Sequence, residues 1–171
     1  LIVYESMFGN TLDVAEAILD GIATRVQATA VEVGAAPESP GDDVTLLIVG
    51  GPTHAFTMSR STSRESAKEE TGEPLVSTGI GIREWLDGLP KIRSSTTGAT
   101  FDTKVDKPRL PGSAAAAAEK RLRKAGCTIV DEHQSFYVDG MTGPLIDGEL
   151  DSAREWGRSL GAKMAMSESG A

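Results

Sequence analysis

Short unbroken apolar runs alternate along this chain with stretches in which apolar residues recur every three or four positions. The clearest runs are Leu1-Ile2-Val3-Tyr4 and Val44 to Val49, the latter leading into Gly50-Gly51-Pro52. A run without polar alternation suits a central strand covered on both faces. Ala28 to Val33 alternates apolar and polar instead, as a strand nearer an edge would. Thr97 to Phe101 reads as a fourth strand, and Thr128–Val130 with Ser135–Val138 as a fifth, bent between its two pieces. Helical periods lie between them. Leu12, Ala15, Leu19, Ile22 and Val26 form one helix face. Ile82, Trp85, Leu86 and Leu89 mark a short helix ended by Gly88 and Pro90. Ala115, Ala118, Leu122 and Ala125 are the stripe of an Ala-rich helix closed by Gly126, with Lys120, Arg121, Arg123 and Lys124 where the dipole favours cations. A last helix starts near Asp147 and buries Leu150, Ala153, Leu160 and Met164, and a frayed tail is expected from Ser167. Residues 52–80 hold either a short polar helix near Ser61–Glu70 or a mobile excursion.

Without an internal repeat or a second domain pattern, residues 1–171 read as a single α/β domain. Five strands interleaved with helices predict a three-layer α/β/α sandwich. The chain is long enough to bury a full core. No apolar run approaches the ~20 residues that span a bilayer, and no basic-then-apolar leader is present, so a cytoplasmic protein without membrane insertion is expected. The net charge of −8 argues against nucleic-acid binding, which needs a basic footprint. That charge is uneven: residues 1–50 hold eight acids against Arg25 alone, whereas residues 91–124 hold nine bases against three acids. Such a split is either two solvated faces or a dipolar surface that orients a charged partner. A lone cysteine, Cys127, forms no internal disulfide and reads as a small apolar residue. With two histidines at unpaired spacing, the composition predicts no metal site.

The chemistry concentrates in the turns after the strands. Tyr4-Glu5-Ser6-Met7-Phe8-Gly9-Asn10-Thr11 lies between the first strand and the first helix. Gly9 permits a tight turn, Ser6, Asn10 and Thr11 supply donors, and the helix N-terminus adds positive potential, a combination that suits a phosphate. Ser, Asn and Thr also cap helices, so this segment alone leaves an ordinary capped turn open. It has neither the lysine of a GxxxxGK[ST] loop nor a GxGxxG pattern. A second turn, Gly50-Gly51-Pro52-Thr53-His54-Ala55-Phe56-Thr57-Met58, follows the third strand. In an open parallel sheet the first and third strands meet at the switch point where ligands bind. Phe101-Asp102-Thr103-Lys104, after the fourth strand, would form the opposite wall. Of four phenylalanines, Phe8, Phe56 and Phe101 fall in these turns, as a flat apolar ring to pack against would require. His54 either contacts such a ring edge or is an incidental loop residue.

Glu5-Ser6-Met7-Phe8-Gly9-Asn10-Thr11 resembles the FMN phosphate loop of flavodoxins, and closely the version in flavodoxin modules of flavodiiron proteins. Gly51-Pro52-Thr53-His54 with Phe56 resembles that family's second FMN loop. The resemblance covers nearly the whole chain in element order and is specific in these two loops. It implies a flavodoxin-like strand order of 2-1-3-4-5. It also implies that Ser6, Met7, Gly9, Asn10 and Thr11 hold the FMN phosphate, with Phe8 in the same loop. Pro52, Thr53, His54, Ala55 and Phe56 would border the ribityl chain and the flavin ring; Phe101, Asp102 and Thr103 are expected at the site from their place after the fourth strand alone. The third loop departs from the family pattern, which places a Gly-rich turn and a ring-stacking Tyr there. The function so implied is electron transfer between larger redox proteins. The alternatives are an FMN-dependent NAD(P)H:quinone-type reductase, in which Lys104, Lys107 and Arg109 recruit an anionic donor, or a flavin-free binding or regulatory module.

Overall fold

In this computed structural model, which describes residues 1–72, 74–108 and 111–169, the apolar runs become the middle of one parallel sheet. β1 (Ile2–Tyr4) lies between β2 (Ala30–Glu32) and β3 (Leu46–His54). β3 pairs in parallel with β5 (Thr97–Val105), which carries β6 (Thr128–Ile129) and β7 (Gln134–Val138) on its far side. The bent fifth strand is thus two pieces on one edge, and the order by position is the expected 2-1-3-4-5. A short β4 (Thr57–Met58) folds back antiparallel on the end of β3.

Alternation along the central strands builds two cores. Ile2, Leu46, Ile48, Ala99 and Phe101 face one side, Val3, Leu47 and Val49 the other. On the first side lie α1 (Asn10–Ile22) and α5 (Glu149–Ser169), which cover it with Val14, Ile18, Ala153, Trp156 and Leu160. On the second lie α3 (Ile82–Gly88) and α4 (Ala114–Ala125), contributing Ile82, Trp85, Leu86, Ala118 and Leu122. Fully burying a side chain of this size stabilises by about 1.5–3 kcal/mol, so both layers are held by many such terms. Cys127 belongs to the second core, where burial pushes its thiol up. Helix α2 (Ser61–Thr71) stands apart from this pattern, burying only Arg64 and Ala67. Among the described residues no helix is long and apolar enough to cross a membrane.

Two strands run further than their apolar runs. β3 continues through Gly50-Gly51-Pro52-Thr53-His54, and β5 through Phe101-Asp102-Thr103-Lys104-Val105, so these expected loops are strand. Backbone pairing explains the extension: β5 is flanked over this stretch by β3 and by β7. Pro52 is tolerated because it lies beyond the last β1 partner, Gly50, where one side of β3 is free of a ladder. At the other end of the chain, α5 runs to Ser169, past the expected start of fraying at Ser167.

Candidate functional site

The carboxyl ends of β1 and β3 diverge, because β1 feeds α1 on one face while β3 leads through β4 and α2 to α3 on the other. Such a divergence leaves a crevice outside the strand ends. Here it is a cleft of about 400 Å³. Met7, Phe8, Asn10 and Thr11 form its floor on the α1 side, and Pro52, Thr53, His54 and Ala55 bring the end of β3 to it. Thr103, Lys104 and Val105 close it from β5, joined by Val138 and Met141.

The turn into α1 has donors to spare. Gly9 stands at φ +96°, a left-handed conformation that glycine alone adopts without strain, and no atom lies within 4 Å of where a Cβ would sit. The buried Ser6 Oγ accepts from the amides of Gly9 and Leu12, each at 3.2 Å. The amides of Asn10 and Thr11 make no hydrogen bond to any described residue. Side chains are more committed: Asn10 Nδ2 donates to the carbonyl of Thr142 at 2.9 Å, and the Thr11 hydroxyl pairs with that of Thr103 at 2.7 Å. The open polar capacity of this turn is therefore main-chain N–H at a helix N-terminus.

The opposite wall comes from the stretch that the sequence left ambiguous. It is a helix over Ser61–Thr71, and Ser63, Ser66, Ala67 and Glu70 line the cleft. A buried polar network lies beneath it. Glu5, wholly buried, accepts from the Ser59 hydroxyl and, at 2.9 Å, from the amide of Ile82. Arg64 donates to Ser59 Oγ at 2.9 Å, lies 3.9 Å from Glu5 and grips Glu84 through both terminal nitrogens at 3.3 and 3.2 Å. Burial pushes the Glu5 carboxyl above its ordinary range, against the opposing pull of Ser59, the Ile82 amide and Arg64. Burial, reinforced by Arg64, holds His54 below the usual histidine value.

No family model matches the chain, and no curated protein does. Solved structures do. A flavodoxin from the domain Archaea superposes with a TM-score of 0.62 at 21% identity, over 95% of each chain. The flavodoxin of Streptococcus pneumonia TIGR4 gives 0.66 at 15% identity, over 95% of this chain and 97% of that one. This chain has a flavodoxin-like fold. The Flv1 flavodiiron core from Synechocystis sp. PCC6803 also matches, with a TM-score of 0.61 at 18% identity, over 97% of this chain and 36% of that one.

Within the flavodoxin-like fold the expected site residues divide. Met7, Phe8, Asn10, Thr11, Pro52, Thr53, His54, Ala55 and Thr103 meet at the cleft. Ser6 and Gly9 shape the turn from behind its lining. Phe101 does not reach the cleft. It is buried in the first core, edge-on to Phe136 and Trp156 at 6.3 and 6.4 Å, with its ring across Gly50, its partner on β3. A Cβ on Gly50 would stand 2.1 Å from that ring, so the glycine makes the space that draws the phenylalanine inward. Asp102 is also buried: its Oδ2 accepts from Thr53 Oγ1 at 2.9 Å, Ser113 Oγ at 2.6 Å and the Ala115 amide at 3.1 Å. It anchors the start of α4 and holds the cleft residue Thr53 from behind. Phe56 is 54% exposed at the tip of the β3–β4 hairpin, outside the cleft lining. The expectation of three phenylalanines on one rim is therefore corrected to Phe8 alone in the lining. Lys104 lines the cleft with its Nζ donating to the carbonyl of Gly112 at 2.7 Å, and Arg109 lies outside the described residues.

Sequence reasoning missed α2's contribution, Val105, Val138 and Met141. The available signal was Arg64 at the centre of an otherwise polar segment, a long cation that needs a carboxylate partner when buried.

Proposed function

We propose that this chain binds FMN in the cleft, with the phosphate on the first turn of α1, and passes electrons to larger redox proteins. The observation that carries the reading is the pair of amides, Asn10 and Thr11, that have no partner among the described residues and stand at a helix N-terminus that opens on a cleft of about 400 Å³. The residues present fit the group. Gly9 keeps the approach to those amides clear, since nothing occupies the space a Cβ would take. Met7, Phe8, Pro52 and Ala55 offer an apolar lining that excludes water from a ring system, and His54, held below the usual histidine value by burial, is neutral at pH 7 and offers a hydrogen bond rather than a charge. When bound, FMN would supply one- and two-electron chemistry, and the protein's part is binding, orientation and electrostatics. Acceptance of the phosphate by neutral amides, without a lysine in the turn, leaves its negative charge uncancelled, which disfavours further electron density nearby.

A second reading, reduction of a small acceptor such as a quinone by NAD(P)H, is favoured by α2, whose Ser63, Ser66, Ala67 and Glu70 give the cleft a wall that a bare docking surface lacks. The deciding measurement is the visible absorption spectrum of the purified protein after incubation with FMN and removal of the excess. A retained flavin spectrum supports the proposal, and slow NADPH oxidation with a quinone then favours the carrier. A colourless protein overturns it and leaves a flavin-free binding module.

A further inference from the structure

Helix α2 is a polar segment attached to the domain by few contacts. Eleven residues long, it buries only Arg64 and Ala67. An isolated helix of this length is marginal in water, so its persistence depends on docking. The docking is concentrated in one cluster. Arg64 is 8% exposed and bridges Ser59 and Glu84; Ser59 and Glu5 are wholly buried. Glu5 binds the residues on both flanks of the excursion at once, Ser59 before α2 and Ile82 after it. The next residue, Ser6, exchanges two hydrogen bonds with Ser77, its amide to Oγ at 3.0 Å and its carbonyl from the amide at 2.8 Å, while Met7 accepts from Val76 at 2.9 Å. The strand end and turn that precede α1 are therefore bonded residue by residue to the segment that carries α2. Met7 and α2 are opposite walls of the same cleft.

We propose that α2 is a latched lid, with Arg64 and Glu5 as positioning residues that hold it over the cleft and couple its order to occupation of the α1 turn. A ligand seated on the amides of Asn10 and Thr11 is bordered by Ser63, Ser66 and Glu70 only while Arg64 is docked. Opening the latch frees α2 to leave, and a helix that leaves also unwinds. The coupling is reciprocal: what the lid adds to ligand retention, the ligand adds to lid order. Elements with sparse apolar contacts are the ones that open at low free energy, so the lid moves while the sheet stays folded.

The test is hydrogen–deuterium exchange of the full chain and of its Arg64→Ala and Arg64→Lys variants, each with and without FMN. Without ligand, Arg64→Ala should raise exchange across residues 61–71 at least tenfold and leave α1 and α5 unchanged, with Arg64→Lys between it and the parent chain. Unchanged exchange over 61–71 overturns the latch. With FMN, the parent chain should gain protection both at residues 6–12 and at 61–71, whereas Arg64→Ala should gain it only at 6–12 and release FMN about tenfold faster. This second comparison rests on the FMN reading above. FMN that protects 6–12 of the parent chain but not 61–71 overturns the coupling and leaves that reading intact. Absence of any FMN binding sinks the FMN reading, and the ligand-free comparison then decides the latch by itself.

Discussion

Glu5 shows how much one side chain can carry without being exposed. Its carboxyl is wholly buried and its pKa lies above the ordinary 4.5. A group whose folded pKa exceeds its unfolded one stabilises the fold below the unfolded value and loses that contribution as pH rises through the folded value. The parent chain should therefore lose stability relative to Glu5→Gln as pH climbs from about 4.5. Denaturant unfolding of both proteins at stepped pH checks this, and a constant gap between them would mean that Glu5 titrates alike folded and unfolded. Asn10 offers a separable test of the phosphate turn. Asn10→Asp adds a charge at a helix N-terminus, where it favours the helix, and places it against the bound phosphate. Asp cannot replace the Nδ2 donor to the Thr142 carbonyl, so stability should fall by about 1 kcal/mol, as it should in Asn10→Ala. FMN affinity should fall about tenfold in Asn10→Asp and far less in Asn10→Ala, as read by flavin fluorescence titration. Unchanged affinity would remove the phosphate from this turn. The first turn was legible in the sequence because its chemistry is local: a glycine, hydroxyls and an amide side chain beside a helix start. Phe101 was not legible, since its place depends on Gly50, a partner far away in the chain that only strand register brings alongside.

At the level of elements, the β3–β4 hairpin is the most strained connection described. Thr53 pairs with Met58 and His54 with Thr57, leaving a two-residue turn of Ala55 and Phe56 at φ 44° and 72°. Positive φ at both central positions is the type I′ pattern, which favours Asn-Gly, and left-handed conformations cost other residues roughly 1–2 kcal/mol each. Phe56 is mostly exposed, so its ring returns little packing for that cost. Replacing the pair by Ala55→Asn with Phe56→Gly should stabilise the protein by about 1–2 kcal/mol and raise Tm by several degrees, measured by calorimetry. A fall in Tm would show that the phenylalanine packs on something that offsets its backbone. The sequence showed the five strands and most helices through their periods. It missed the outer halves of β3 and β5, where pairing with β4 and β7 sustains strand through glycine, proline and threonine. It left α2 undecided because a helix docked by one arginine has almost no apolar stripe to read.

Across the whole molecule, the spacing of the helical layer behind the cleft is set by glycines. A Cβ on Gly157 of α5 would lie 2.3 Å from the carbonyl oxygen of Ile18, and one on Gly21 of α1 would lie 2.1 Å from that of Arg154. The two helices therefore meet backbone to backbone, reciprocally, and α1 is fixed over its C-terminal half by α5 while its first turn faces the ligand cleft. In an isolated helix Gly157→Ala would be favourable by about 1 kcal/mol. In this crossing the neighbour is main chain, which has no rotamer to turn away, so the helices must part. The expected result is a net loss of about 1–3 kcal/mol in denaturant unfolding, the range for overpacked cores. If α1 is displaced as a rigid rod, FMN affinity should fall with stability, because the Asn10 and Thr11 amides move with the helix. If α5 yields instead, stability should drop and affinity should hold, since among the described residues none of α5 lines the cleft. The firm tie of Thr11 to Thr103 at the site end of α1 favours the second outcome. Measuring both quantities on the one variant tells which helix the sheet holds more tightly.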